Sequence, residues 1–388
     1  MKKKPILYTK TEDCSGCSAC MAICPTNAIK FEYNLEGFLY PNIDYTRCIS
    51  CLKCEDVCAF KKDMIKSIQE NSQTHIYAAK TLNHEVLINS SSGGMFTLLS
   101  DIFLENNDMV VTCNYSYENN AVLFSFIKEK KERDKARGSK YIQAENETFK
   151  DIIKWLKKFP NNKMLVIGTG CQIAGLDLLL KNKNIRNRVI LVDLICHGAP
   201  SPKLWKDYIN KVEKENNGNI DYITFKNKRN GWENPSVFAK IKGKEVSIKP
   251  YADWFYMGWT LRESCYKCPY TRLDRHSDIT IGDFWGIQNV MPNIYDKLGV
   301  SLVITHSEEG EKVFDKIKNK IIFYESNKVD CLQPRLVSPQ IRPNNRELFW
   351  LDMNSKGIDY CIKKYFEHHE ITIKEKIKRF IKRLIKWN

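Results

Sequence analysis

The sequence predicts a mixed chain: an α+β module at its start, an α/β domain through its body and an amphipathic helix at its end. Three observations carry this reading. Two cysteine quadruplets of identical spacing stand first, Cys14-x2-Cys17-x2-Cys20-x3-Cys24 and Cys48-x2-Cys51-x2-Cys54-x3-Cys58. In the body, apolar runs end in glycine turns and lead into helical patterns, as buried parallel strands do. From Ile371 to Asn388, apolar and basic residues alternate at helical spacing.

The quadruplets define residues 1–65 as a ferredoxin-like module. The C-x2-C-x2-C-x3-C spacing wraps one short loop around a cubane, and its fourth cysteine points to the other cubane. Cys14, Cys17, Cys20 and Cys58 are therefore assigned to one 4Fe–4S cluster, and Cys48, Cys51, Cys54 and Cys24 to a second. A zinc site or disulfide knot would not need two matching quadruplets. Pro25 follows the first quadruplet, whereas Ala59 stands at the matching place in the second. The run Ala28–Tyr33 reads as a hairpin strand and Gly37–Pro41 as its return. Lys66 to Thr74 is polar and reads as a linker.

The chain has 388 residues, enough for two or three domains, and a normal hydrophobic content of 43%. The start, Met1-Lys2-Lys3-Lys4-Pro5, lacks an apolar signal region, and no run of eighteen apolar residues exists. With 15 cysteines in such a chain, the reducing cytoplasm is the expected compartment. The formal net charge is +15, spread along a Lys- and Asn-rich sequence. No basic stripe interleaved with aromatics lies outside the tail, so no nucleic-acid partner is expected.

The body is read in two parts, 75–160 and 161–345. Ile76–Ala79 reads as a strand. Ser90-Ser91-Ser92-Gly93-Gly94 then opens a helix through Thr97, Leu98, Leu99, Ile102 and Phe103. Its serines suit an N-cap and its paired glycines the approach of an anion; an ordinary capped helix explains them as well. Strands follow at Met109–Cys113 and Val122–Ile127. Arg137-Gly138-Ser139-Lys140-Tyr141 is a basic loop, either a phosphate contact or a solvated turn. The strand from Met164 runs into Gly168-Thr169-Gly170-Cys171-Gln172 and a helix, which puts backbone amides at the carboxyl end of a parallel strand. This is not the dinucleotide G-x-G-x-x-G. The strand Val189–Ile195 ends in Cys196-His197-Gly198, ahead of a helix starting near Lys203. Asp278–Gly282 gives a strand and Asp283-Phe284-Trp285-Gly286 its turn. Beyond lie a strand at Leu302–Thr305, a helix through Glu311–Ile317, a strand at Ile321–Tyr324 and irregular chain from Gln333 to Arg346.

Four thiols remain on loops: Cys171, Cys196, Cys265 and Cys268. They suffice for a third iron–sulfur cluster or a zinc, and equally describe two buried free cysteines beside an incidental pair. Cys113, Cys331 and Cys361 have no spacing partners and are expected in the core.

In the tail, residues 371–388, Ile373, Ile377, Phe380, Ile381, Leu384 and Ile385 face one way. Seven Lys and Arg residues fill the other face. A basic residue near an anionic leaflet contributes about 1 kcal/mol. The tail therefore suits either a membrane surface or a docking partner, or packs on its own domain.

Taken together and in order, Ser92-Gly93-Gly94, Gly168-Thr169-Gly170-Cys171-Gln172, Asp193-Leu-Ile-Cys196-His197-Gly198, Cys265-x2-Cys268 and Gly282-Asp283-Phe284-Trp285-Gly286 resemble one family. It is the family of coenzyme F420 hydrogenase/dehydrogenase beta subunits, which also includes plant hydroxymethyl-chlorophyll reductase. The likeness covers roughly residues 75 to 340. Where the family pattern has proline, this chain has Gly170, which loosens the expected turn. The resemblance implies an FAD-binding α/β domain. By matching position, Ser92, Gly93, Gly94, Thr97, Lys140, Gly168, Thr169, Gln172, His197 and Gly198 would lie at the flavin. Cys171, Cys196, Cys265 and Cys268 would hold a flavin-proximal cluster. His197 is the first candidate proton donor, by its titration near neutral pH, and Asp283 the second.

The implied activity is that of an iron–sulfur flavoprotein oxidoreductase. It would exchange electrons with a ferredoxin-type donor or partner oxidoreductase and reduce or oxidise a small organic substrate. Some bacterial family members fused to such a module are tied to surface-polysaccharide synthesis. Two alternatives stand beside this. One is a true coenzyme F420-dependent beta subunit. The other is a non-catalytic electron-transfer subunit. The expected location is cytoplasmic, or peripheral at the inner membrane face through the tail.

Overall fold

A computed structural model of the chain describes residues 3–61, 74–145 and 147–367. The tail helix read over 371–388 lies outside the described residues, as does the linker except for Thr74. The N-terminal module holds an antiparallel hairpin, β1 (Ile29–Tyr33) and β2 (Leu39–Ile43), with Ile29 opposite Ile43. Two one-turn helices, Ala19–Ile23 and Lys53–Asp56, each contain a cysteine of one quadruplet. Their first turns are entered through residues with left-handed backbone, Ser18 (φ 70°) and Leu52 (φ 59°), at matching places in the two quadruplets. That repetition is what an internally duplicated cluster loop requires.

The body is built on one eight-stranded sheet. Its strands are β3 (His75–Thr81), β4 (Met109–Ser116), β5 (Ala121–Ile127), β6 (Met164–Thr169) and β7 (Val189–Leu194). β11 (Ile279–Asp283), β12 (Ser301–Thr305) and β13 (Ile321–Glu325) complete it, in the order β13-β3-β12-β11-β7-β6-β4-β5. Between β7 and β11 the chain makes a separate three-stranded antiparallel sheet, β8 (Ile220–Asn227), β9 (Ser236–Ile241) and β10 (Lys244–Ser247).

The four central strands β11, β7, β6 and β4 are parallel, and the outer pairs are antiparallel. Met164-Leu-Val-Ile and Val189-Ile-Leu-Val are buried along their length, which is why they read as continuous apolar runs rather than alternating ones. Strands from both halves of the body share this sheet. β3 lies between β12 and β13, and β4 beside β6, so 75–160 and 161–345 have one framework.

The crossover helices cover the faces. Phe149–Lys158 buries Phe149, Ile152, Ile153 and Leu156, an i, i+3, i+4, i+7 stripe, and leaves its lysines outward. Pro202–Glu215 starts with Pro202 in its first turn and Ser201 accepting from the Leu204 amide. It packs Trp205 and Tyr208 against Phe225, Tyr251 and Trp254.

The N-terminal module is not a separate bead. Ala19, Ile23, Phe38 and Tyr40 belong to the same buried cluster as Phe149, Ile152, Leu176 and Trp205. The helix Gly170–Asn182 meets the first cysteine loop so closely that a Cβ on Gly175 would stand 2.7 Å from Cys17 Sγ. Arg346, buried on the helix Arg346–Ile362, pairs with Glu36 of the hairpin and with Glu263. No helix among the described residues is long and apolar enough to cross a membrane.

Candidate functional site

Because β4, β6, β7 and β11 are parallel, their carboxyl ends meet at one edge, where an α/β sheet places its ligand. A cavity of about 830 Å3 lies there. The first wall is the end of β6. Thr169 and Gln172 close a capping box, with the Thr169 hydroxyl 2.9 Å from Gln172 Oε1. Gly170 is therefore the first residue of a well-capped helix, and the loosened turn expected from the missing proline is not found. A Cβ there would come within 3.0 Å of Arg275 Nη1 and of Tyr270, so the space is already taken.

The second wall is the end of β7, with Cys196, His197 and Gly198. The third is the Cys265–Cys268 turn. It is tied to the second by the Ala199 amide, 3.3 Å from Cys265 Sγ, and by the Arg262 amide donating to the Ala199 carbonyl at 3.0 Å. Cys171, Cys196, Cys265 and Cys268 all line the cavity. Burial, with neighbouring thiols adding to it, pushes Cys196, Cys265 and Cys268 up to about 12, and burial raises Cys171 too. Such thiols stay protonated unless a cation displaces the proton, which is the chemistry of a metal centre. Arg275, almost fully buried, spends Nη1 on Asp193 at 3.1 Å and leaves Nη2 without a partner. Its charge acts on Cys196 and Cys268. A buried guanidinium nitrogen whose charge reaches two of the four thiols, Cys196 and Cys268, fits an anionic inorganic group.

The ferredoxin-like cysteines gather as two sets. Cys17 is influenced by Cys58 and Cys14, and Cys20 by Cys17, Cys14 and Cys58 ahead of Cys54 of the other set. Cys24, Cys48, Cys51 and Cys54 line one small hollow. Burial pushes Cys17 up to about 12 and Cys54 up to about 11. Burial acts on Cys24 as well, but its hydrogen bonds, including one from the Ala28 amide at 3.3 Å, outweigh it and lower the thiol. Among the described residues, no three His, Cys, Asp or Glu groups form a site for a single metal ion. In a cubane each thiolate binds a different iron, so its ligands need not converge on one point. The first set adjoins the cavity: Ser15 lines it, Cys17 feels the charge of Cys171, and Cys171 bonds to Ser15.

Of the other expected residues, Ser92, Gly94, Lys140, Gly168, Thr169, Gln172, His197, Gly198 and Asp283 line the cavity. Gly93 and Thr97 stand behind it. The Gly93 amide donates to Ser301 Oγ at 2.9 Å, and any Cβ there would strike the Ala79 carbonyl. Thr97 is buried and accepts from Arg137 Nε at 3.1 Å. Lys140 turns its ammonium to the carbonyls of Ala136, Arg137 and Gly138, and burial brings it down to about 8. It closes the end of the helix Lys130–Lys135 rather than offering a free phosphate contact.

Burial and then Arg335 bring His197 down to about 4, so the ring is neutral near pH 7 and its Nε2 has no hydrogen-bond partner. Asp283 has both oxygens engaged, by Lys226 Nζ at 2.5 Å and Trp232 Nε1 at 2.7 Å. It is the counter-ion of a buried lysine and not a free acid. Cys331 and Cys361 are buried as expected, but Cys113 is not simply core: it lines the cavity near Lys140. Sequence reasoning missed Arg262, Arg275, Lys226 and Arg335, since none of the loops, the strand or the short helix Pro334–Val337 that carry them has a motif.

Comparisons with known proteins bear on this arrangement. Residues 13–62 match the 4Fe-4S dicluster domain. Residues 161–330 match the family described as the C terminus of the coenzyme F420 hydrogenase/dehydrogenase beta subunit. The F subunit of F(420)H(2) dehydrogenase from Methanosarcina mazei is 23% identical over 333 residues, covering 81% of this chain and 85% of that protein. A chain of the F420-reducing NiFe hydrogenase complex from Methanosarcina barkeri aligns with 78% of this chain and 94% of its own, at TM-score 0.43 and 18% identity. The chain thus joins a 4Fe–4S dicluster domain to a domain of the family of coenzyme F420 hydrogenase/dehydrogenase beta subunits.

Proposed function

We propose that this chain is the iron–sulfur subunit of an oxidoreductase that passes electrons between its 4Fe–4S clusters and coenzyme F420. The observation that carries the reading is the continuity of sulfur from surface to cavity. Cys51 is exposed, the Cys14–Cys58 set adjoins the body, and Cys171, Cys196, Cys265 and Cys268 line the cavity itself. The family match and the relative's name favour coenzyme F420 over an unspecified organic substrate or a role in polysaccharide synthesis.

The four thiols with Arg275 suit a third cluster. The cavity, within the roughly 300–1,000 Å3 range of ligand pockets, suits the FAD implied by the resemblance. A flavin there would supply the conversion between single electrons and hydride pairs. The residues do the rest. The Gly170–Asn182 helix starts at the cavity edge, where the positive end of its dipole favours an anion while the capping box occupies the Thr169 and Gln172 amides. Lys226 and Asp283 hold Trp232 and Trp285 stacked at 4.7 Å as a rigid wall. His197 presents a neutral ring against Phe255.

The test is anaerobic purification with iron and flavin measured on one sample, followed by mixing dithionite-reduced protein with coenzyme F420. Bleaching of the F420 absorbance by a protein holding about twelve irons is the expected result, from three four-iron centres. An iron-loaded, flavin-loaded protein that leaves F420 untouched refutes the reading. The exposure of Cys51 also favours a partner protein as the other end of the relay. Stoichiometric oxidation by such a partner, with no F420 turnover, would identify a non-catalytic electron-transfer subunit.

A further inference from the structure

We infer that Arg262 is the residue that sets the reduction potential of the Cys14 cluster and couples it to the four-thiol centre, resting on the electron relay proposed above. Arg262 is buried, 1% exposed, between the two sites. Its backbone belongs to the four-thiol side. The Arg262 amide donates to Ala199 three residues beyond Cys196, and its carbonyl accepts from the Cys265 amide at 2.9 Å. Its side chain belongs to the other side. Nε donates to the Cys14 carbonyl at 2.8 Å, and Nη2 lies 3.7 Å from Cys14 Sγ. One residue therefore spans both centres through a rigid set of bonds.

The guanidinium is held in place rather than free to swing. Its carbon stands 3.8 Å from the centre of the Tyr40 ring and 5.6 Å from that of Phe38. Nη1 meets Gln143 Oε1 at 3.3 Å, and Gln143 in turn donates to the Ser15 carbonyl at 3.1 Å. Gly16 leaves room for it: a Cβ there would stand 3.1 Å from the Arg262 guanidinium carbon. Its hydrogen bonds and ring contacts among the described residues include no carboxylate, so its charge is directed at sulfur and rings.

The chemistry follows from charge. Reducing a cluster adds one electron and one negative charge, with the electron drawn from dithionite through mediators. A fixed cation with a hydrogen bond to a ligand sulfur favours the reduced form and raises the potential. In a buried setting that effect is little screened. An arginine placed on the inner side of the first cluster therefore makes that cluster the easier one to reduce and draws the electron toward the cavity.

The experiment is an EPR-monitored redox titration of the full chain, reconstituted with iron and sulfide, as wild type, R262Q, R262M and R262K. Iron is counted on each sample. The expected result is full iron in the variants and a lower midpoint for one cluster signal in R262Q and R262M. R262K should recover part of the shift, and the Cys24, Cys48, Cys51, Cys54 cluster should be unmoved. A neutral variant that keeps its iron and titrates as wild type overturns the proposal. So does loss of iron from both neutral variants, which would make Arg262 a support of the loop alone. A wild-type protein that binds no iron would instead sink the relay reading, so the two failures are told apart by the iron count.

Discussion

Gly175 offers the sharpest test of how the two parts of the chain fit. It lies in the helix Gly170–Asn182, where Gly→Ala ordinarily stabilises by up to about 1 kcal/mol. Here the added methyl would stand 2.7 Å from Cys17 Sγ and 3.3 Å from the Ala19 Cβ. Ordinary contact between such atoms is about 3.5–4.0 Å, so something must move by roughly 1 Å. Overpacking of a tight core costs about 1–3 kcal/mol, which outweighs the helical gain. The yielding group is either the helix or the Cys17 loop, and the loop is what holds iron. Gly175→Ala is therefore expected to lower thermal stability and to lose iron selectively, about four atoms per chain, while the Cys24, Cys48, Cys51, Cys54 centre remains. Iron analysis, EPR of the reduced protein and thermal unfolding read these outcomes together. Unchanged iron with equal or higher stability would refute the contact and the docking it represents.

Two more expectations rest on buried charge. Burial, then Arg275, bring His306 down to about 3, against 6.5 when unfolded. The unfolded chain thus binds the extra proton between those values, and stability falls as pH drops from 7. The loss from this group is about 2 kcal/mol at pH 5. His306→Gln should flatten the difference between urea midpoints at pH 7 and pH 5, and an undiminished difference would exclude the group. Arg346→Met removes the partner of Glu36 and one partner of Glu263, which keeps Arg342. Breaking a buried pair costs about 3–5 kcal/mol, and the partly exposed Glu36 puts this one at the lower end. A destabilisation under about 1 kcal/mol in chemical unfolding would show that the pair does not fasten the hairpin.

The parts legible in the sequence are those whose chemistry imposes a local spacing. Cluster loops need their cysteines at fixed offsets, so Cys14 to Cys24 and Cys48 to Cys58 can be read directly. The strands from Met164 and Val189 are buried on both faces and read as apolar runs. The sheet β8–β10 carries no such signal: its strand Ile220–Asn227 is half exposed and mixes lysine and aspartate with apolar residues. The arginines of the site are invisible for another reason. Arg262 meets Cys14 across 248 residues, and nothing local to Arg262 marks that contact. Cys113 departs from its expected core position because lack of a spacing partner is silent about which face of β4 it takes; it lines the cavity. Asp283 and Lys140 stand at the cavity as expected but are not free, since Asp283 is engaged from another element and Lys140 by the carbonyls of its own loop.

The shared core beneath the N-terminal module has a consequence for how fast electrons move. Ala19, Ile23, Phe38 and Tyr40 are packed with residues of the body, so the spacing of the sulfur sites is a property of a solid interior. No docking event or hinge swing has to precede transfer between them. Passage from the Cys14 set to the cavity should behave as tunnelling through a fixed medium, indifferent to solvent viscosity. Only the outermost exchange, at exposed Cys51, remains a matter of diffusion and encounter.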